Sequence, residues 1–223
     1  MKPRFVGRLG LADAVTVANA ALGFLAAVAA TVDPALAARV ILLAAIADAL
    51  DGIVARKVGS TPAGEYLDSL ADVASFGVAP AIIAVVVARD AWTDPARVAV
   101  VVAVGAVFVA MAVVRLGFYT AYDVDNEHTE GVQTTLAGTI VAAVVLAGLT
   151  DPLVLVVLVA LFTALMVTDV EYPDLRPRHA LGMGVVQAGA VLVPTVLSRA
   201  FPRLLLACAV GYLLFAPLFY RNG

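Results

Sequence analysis

Asp48-Ala49-Leu50-Asp51-Gly52-Ile53-Val54-Ala55-Arg56, followed after a short gap by Gly64-Glu65-Tyr66-Leu67-Asp68-Ser69-Leu70-Ala71-Asp72, places four aspartates and an arginine in apolar sequence. Each buried Asp costs roughly 2.5 to 3.5 kcal/mol on membrane-insertion scales, so something must compensate. Spacings of three and four residues put Asp48 with Asp51 on one helical face and Asp68 with Asp72 on another. Gly59-Ser60-Thr61-Pro62 turn the chain between the two segments, which predicts antiparallel neighbouring helices with converging acidic faces. Carboxylate oxygens are hard ligands, and with no His or Cys nearby they suit Mg²⁺ or Mn²⁺ better than zinc. Four of them can hold two divalent ions that clamp a diphosphate. Gly52 and Gly64 leave room for a bulky ligand, Ala55 keeps the same wall low, and Arg56 offers a fixed positive charge to phosphate.

The chain around this stretch has 223 residues, 63% of them hydrophobic and 14% charged, with a mean hydropathy of +1.02. A soluble domain is about 45 to 50% apolar, so the composition specifies an integral membrane protein of the all-α class. A net charge of -3 with scattered basic residues excludes a nucleic-acid partner. The single cysteine, Cys208, excludes an intramolecular disulfide and a multi-Cys metal site, and is expected in the packing. Lys2, Arg4 and Arg8 precede an apolar segment without a small-residue cleavage site, which predicts a retained first span.

A crossing of about 30 Å needs roughly 20 helical residues. Eight spans are expected, at 14–32, 35–57, 63–88, 96–120, 131–149, 152–168, 180–197 and 202–220. They are divided by Asp33-Pro34, Gly59 to Pro62, Asp94-Pro95, the acidic stretch Asp123 to Glu130, Asp151-Pro152, Asp169 to His179 and Phe201-Pro202. No soluble domain fits between them and no internal repeat is visible, so residues 1–223 form one membrane domain. With eight spans both termini share a side. That side collects Lys2, Arg4, Arg8, Arg56, Lys57, Arg115, Arg176, Arg178 and Arg221, against Arg39, Arg89, Arg97, Arg199 and Arg203 opposite. The bias places the termini and the acidic motif at the cytoplasmic side of the cell membrane. The stretch Asp123 to Glu130 falls on that side too, as a solvated loop or as a lining of the site entrance.

The aspartates admit two other readings. Interhelical ion pairing fails because one arginine and one lysine cannot balance four aspartates. A cation transporter would use intramembrane carboxylates as its path, but broken helices and an inverted repeat are not visible.

The pattern D-x-x-D-G-x-x-A-R-x(7)-G-x-x-x-D-x-x-x-D resembles the signature of the CDP-alcohol phosphotransferase family, matching every defined position with one residue fewer between Arg56 and Gly64. The shorter turn leaves open which of Ser60 and Thr61 corresponds to the family's CDP-contacting hydroxyl. The resemblance implies attack of an alcohol hydroxyl on the β-phosphorus of a CDP-linked lipid or alcohol, with release of CMP, by a homodimeric enzyme. It implies that Asp48 and Asp68 are shared by both metals, Asp51 binds one and Asp72 the other, with Asp72 also the base that takes the hydroxyl proton. It implies that Gly52, Arg56 and Thr61 touch CDP and its phosphates. Thr16 and Asn19, in a T-x-x-N-x-x-x-G pattern ending at Gly23, match a weaker N-terminal motif; they reach the nucleotide or serve as polar residues of a helix interface.

Beyond the signature, Leu67 to Pro80, L-D-S-L-A-D-V-A-S-F-G-V-A-P, is similar to the serine branch of that family, the CDP-diacylglycerol serine phosphatidyltransferases and their archaetidylserine counterparts. Met166 to Pro173 is similar to that branch's sixth-helix ending, and Gly131 with Thr134 and Thr135 falls where it has G-L-P-T-P. The similarity covers a catalytic core of about 10–175 and leaves two additional C-terminal helices at 180–220. The branch's R-L-A-R-F-N becomes R-L-G-F-Y-T from Arg115 to Thr120, so the first arginine stays, Phe118 replaces the second, and Gln133 replaces a proline. Arg115 is then the remaining candidate to hold the acceptor. L-serine is the expected acceptor, with glycerol 3-phosphate or inositol phosphate as alternatives that would want more basic residues near the site. The Ala/Val/Asp-rich composition leans towards an ether-linked, archaeal lipid.

Overall fold

Asp33-Pro34, Asp94-Pro95 and Asp151-Pro152 each start a helix: the carboxylates accept from Ala35 N at 2.8 Å, Ala96 N at 2.9 Å and Leu153 N at 2.8 Å. The side chain satisfies an amide that the first turn leaves without a partner, and proline at the first helical position loses nothing by lacking one. The computed structural model describes residues 6–123, 128–173 and 177–220. These described residues are 83% helical and form eight helices. They are α1 (Leu11–Ala30), α2 (Pro34–Val58), α3 (Gly64–Ala91), α4 (Pro95–Phe118), α5 (Thr134–Leu146), α6 (Pro152–Leu165), α7 (Pro177–Leu192) and α8 (Val196–Tyr220), the last broken near its start by a kink where Leu197, Ser198 and Arg199 have positive φ. Of these α1, α3, α4 and α8 have stretches long and apolar enough to cross a membrane. α2 is also 25 residues long but carries Arg39, Asp48, Asp51, Arg56 and Lys57. The protein is an all-α membrane bundle.

Small residues let α1 and α2 pack closely against each other and their neighbours: Ala26, Ala30, Ala37, Ala38, Ala44 and Ala45 are buried. α5 lies inside the bundle against α2 and α8, with every residue from Ala137 to Leu146 buried. A helix apolar all round belongs in an interior, and this one need not reach either lipid–water boundary. Its 13 residues are therefore fewer than the expected span 131–149, and α6, with 14, is also shorter than the expected 152–168. The flanks of those spans are instead turn and extended chain, with Gly131 N donating to Val170 O at 2.9 Å and Val132 N to Leu165 O at 3.0 Å. Arg199 Nη1 donates to Leu146 O at 3.0 Å and so caps the C-terminal end of α5.

Three features differ from expectation. α3 is not uniform: Gly64–Asp72 is α-helical, Val73–Val78 widens into a π-helical turn, and Ala79–Ala91 resumes the α-helix. Pro80 accounts for the widening, since it cannot supply the amide that Phe76 O would otherwise accept and its ring crowds that carbonyl. The acidic stretch is not wholly a solvated loop: His128–Glu130 pairs antiparallel with Glu171–Pro173, while 124–127 lie outside the described residues. Cys208, expected in the packing, is exposed on α8. In the expected charge bias, Lys2, Arg4, Arg176 and Arg221 and the side chain of Arg178 lie outside the described residues.

Candidate active site

Gly59 ends α2 with φ of +92°, a backbone region open to glycine and strained for other residues, and so lets the chain reverse into α3. The reversal brings the two acidic faces together. One carboxylate oxygen each from Asp48, Asp68 and Asp72 lie within 4.8 Å of one another. Asp51 stands outside that trio, buried beside it, and Oδ2 accepts from the Thr16 hydroxyl at 2.7 Å. Asp72 accepts from Asn19 Nδ2 at 3.4 Å on Oδ1 and from Thr135 Oγ1 at 3.2 Å on Oδ2. Asp68 Oδ1 is buried without a hydrogen-bond partner.

That arrangement fits a divalent cation. Three hard oxygen donors converge, one of the three carboxylates has a buried oxygen with nothing to accept from, and among the described residues the two ion pairs formed, Arg89–Asp90 and Arg97–Asp94, involve none of the motif aspartates. Mutually repelling carboxylates in a low-dielectric bundle are stable together only with cations or protons among them, and converging oxygens suit a cation.

The T-x-x-N-x-x-x-G pattern of α1 proves to be a brace along both acidic helices. Thr16 holds Asp51, Asn19 reaches Asp72, and Ser75 Oγ lies 2.8 Å from Asn19 Oδ1 and 2.9 Å from Asn19 O. Gly23 closes the line, because a Cβ there would sit 2.7 Å from the backbone of Ala74 and Ser75. Thr16 and Asn19 thus contact the carboxylates directly. Gly52 lies beside Arg56, whose Nη1 would be in ordinary contact at 3.6 Å with a Cβ on Gly52, and Arg56 itself is exposed. Ser60 is exposed at the turn and Thr61 is half-buried, donating to Asp13 Oδ2 at 2.8 Å. Gly64 faces the same carboxylate, 3.5 Å from where its Cβ would be.

Arg115, near the end of α4, is buried, donates from Nη2 to Thr129 Oγ1 at 3.0 Å, and lies 5.4 Å from the centre of the Tyr119 ring. Thr129 belongs to the short strand, so the ribbon reaches the acidic end of the bundle. Sequence reasoning did not single out Asp13, Ser75 or Thr129, each of which gains its role from a contact more than a dozen residues away.

The CDP-alcohol phosphatidyltransferase family model matches residues 9–171. Over 170 residues, 74% of this chain and 70% of the relative, the sequence is 31% identical to archaetidylserine synthase of Methanothermobacter thermautotrophicus. It is 44% identical over 72 residues to a CDP-diacylglycerol--serine O-phosphatidyltransferase of Methanocaldococcus jannaschii, a match covering 32% of this chain and 33% of that relative. A shorter match, 53% over 51 residues, covers 22% of this chain and 17% of the enzyme of the same name from Mycobacterium leprae. Matched from the first helix through the strand at Glu171, the chain belongs to the CDP-alcohol phosphatidyltransferase family and is a transferase.

Proposed function

We propose that this enzyme transfers a phosphatidyl or archaetidyl group from a CDP-activated lipid to the hydroxyl of L-serine, releasing CMP. The observation that carries the acceptor is a buried arginine, Arg115, held by Thr129 of the ribbon and standing near the end of a helix that packs against the π-helical turn just after Asp72. A guanidinium held there offers two parallel donors to a carboxylate such as that of serine. The names of the relatives point the same way. A phosphorylated acceptor would call for further cations, and the described residues at this end add Arg8, Arg56 and Lys57, all exposed.

Members of this family use divalent metal ions. Here Asp48, Asp51, Asp68 and Asp72 would hold two, Mg²⁺ or Mn²⁺, offsetting the charge of the diphosphate and of the departing CMP. Asp72 takes the proton from the serine hydroxyl. The serine oxygen then bonds to the β-phosphorus, the bond from that phosphorus to the bridging oxygen breaks, and the electron pair leaves with CMP. Asn19 and Thr135 hold the Asp72 carboxylate in one orientation, with Oδ1 and Oδ2 each given one donor. Arg56 and Gly52 face the phosphates, with Ser60 or Thr61 adding a hydroxyl. The site faces the cytoplasm, where nucleotide-activated substrate is found, and the enzyme is a homodimer, as the family resemblance implies. The four aspartates and Arg115 fall within a catalytic core of about 10–175, with α7 and α8 added to it.

The test incubates purified protein, Mn²⁺ or Mg²⁺ and CDP-diacylglycerol or its ether analogue with serine, glycerol 3-phosphate or inositol phosphate in parallel. CMP release with serine alone is expected. Release with a phosphorylated acceptor and none with serine would overturn the assignment.

A further inference from the structure

The first turn of α1 and the turn joining α2 to α3 meet at a single carboxylate. Asp13 is 2% exposed and takes two donors on the same oxygen, Oδ2: the Gly10 amide at 2.8 Å and the Thr61 hydroxyl at 2.8 Å. The Gly10 bond is local, a side chain in the first turn reaching back to the residue before the helix. The Thr61 bond joins residues 48 apart in sequence. Thr61 is tied on its other side too, since Oγ1 accepts from Ala63 N at 3.3 Å and its carbonyl accepts from Gly64 N at 3.0 Å. The segments meet closely: a Cβ on Gly10 would come within 3.1 Å of Thr61 Cγ2, and one on Gly64 within 3.5 Å of Asp13 Oδ1. Among the described residues Asp13 forms no ion pair with a Lys or Arg, so its bonded partners are the neutral donors that the two turns supply.

A hydroxyl has one proton to give. That of Thr61 goes to Asp13, and the bond from Ala63 N uses one of its lone pairs, so Thr61 has no hydrogen left for a phosphate oxygen. The neighbouring Ser60 is exposed.

We propose that Asp13 is a positioning residue for the nucleotide: by clasping Thr61 it fixes the 59–64 turn against α1 and leaves Ser60, not Thr61, as the hydroxyl that donates to the diphosphate. This rests on the CDP-dependent reading given above. Both bonds fall on one buried oxygen, so a single side chain holds a turn that carries no other link to α1 through side chains among the described hydrogen bonds.

The test measures calorimetric binding of CDP in the presence of Mn²⁺, independently of any acceptor, for the full-length protein in detergent. Asp13→Ala and Thr61→Val are each expected to weaken CDP by about tenfold, and the double variant to bind no more weakly than the worse single one, as for two partners of one bond. Asp13→Asn keeps an oxygen that accepts both bonds and should bind within about threefold of wild type, a rescue that does not depend on Asp13→Ala folding well. Ser60→Ala should weaken CDP in its own right. Additive losses in the double variant, Asp13→Asn binding as poorly as Asp13→Ala, or an unaffected Ser60→Ala would overturn the proposal. If the wild-type protein itself does not bind CDP, the nucleotide reading falls and the clasp falls with it, an outcome distinct from equal binding by wild type and variants.

Discussion

Thr16 donates its hydroxyl to Asp51 Oδ2 across 2.7 Å, tying the first helix to the one motif aspartate that stands outside the converging trio. A carboxylate that accepts such a bond is held in one rotamer before any ligand arrives, which is how groups behind a metal site set its affinity. Thr16→Val keeps the shape and removes the donor. The Mn²⁺ concentration for half-maximal CMP release should rise by about tenfold, while Thr16→Ser stays near wild type. A metal titration of both variants decides it; an unchanged requirement in Thr16→Val would separate Thr16 from the site.

Asp72 is the motif aspartate with a donor on each oxygen, Asn19 on one and Thr135 on the other. Asp72→Asn removes a base and a metal ligand at once but also removes a like charge from a crowded site, so the fold should hold. CMP release should drop by at least about 10² to 10⁴, with an unchanged or raised melting temperature in detergent. Turnover near wild type would take Asp72 out of the mechanism.

The same crowding makes a prediction about metal removal. With chelator present, Asp48, Asp68 and Asp72 face one another with no cation among them. Asp68→Asn should melt higher than wild type in chelator because one repulsion is gone, and lower than wild type in Mn²⁺ because one ligand is gone. Crossing of the two melting curves with added Mn²⁺ is the readout. Parallel shifts would argue that Asp68 does not bind the ion.

The elements around these aspartates were legible to different degrees. Asp-Pro pairs marked three helix starts because cap chemistry is local, and Gly59 marked the turn because few other residues tolerate its φ. The approach of Asp48 to Asp68 and Asp72 was legible because three- and four-residue spacings state which side chains share a helical face, whereas the same spacing grouped Asp51 with Asp48 and did not show that Asp51 turns to Thr16 outside the trio. The ribbon between His128–Glu130 and Glu171–Pro173 was not, since its partners lie some forty residues apart and neither segment has the length to show alternation. The shortness of α5 was hidden for another reason: hydropathy reports apolar character and cannot distinguish a helix surrounded by protein from one surrounded by lipid. Pro80 was visible, but whether a proline kinks, ends or widens a helix depends on the neighbours that take up the freed carbonyl.

Gly23 shows how small a change could separate the brace from the site. A methyl group there would meet the Ala74 and Ser75 backbone at 2.7 Å, inside the π-helical turn just after Asp72. Backbone cannot rotate aside as a side chain can. Gly23→Ala should destabilise the protein by about 1 to 3 kcal/mol, read as a lower melting temperature, and should weaken metal binding through the displaced Asn19. A Gly23→Ala protein with wild-type melting would mean that α1 and α3 do not approach so closely.

Arg115 offers a discriminating measurement for the acceptor. Its Nη2 is bonded to Thr129 in the ribbon, which fixes one side of the guanidinium. If the group receives the serine carboxylate, Arg115→Ala should raise the KM for serine by about ten- to a hundredfold, the worth of a charge-assisted hydrogen bond, with the KM for CDP-lipid little changed. Arg115→Lys should recover only part of this, since an ammonium cannot present two parallel donors. Thr129→Val should act in the same direction and more weakly, by loosening the guanidinium without removing its charge. A loss confined to CDP-lipid affinity would instead assign Arg115 to the diphosphate, and equal losses in kcat at unchanged KM would place its interaction in the transition state alone.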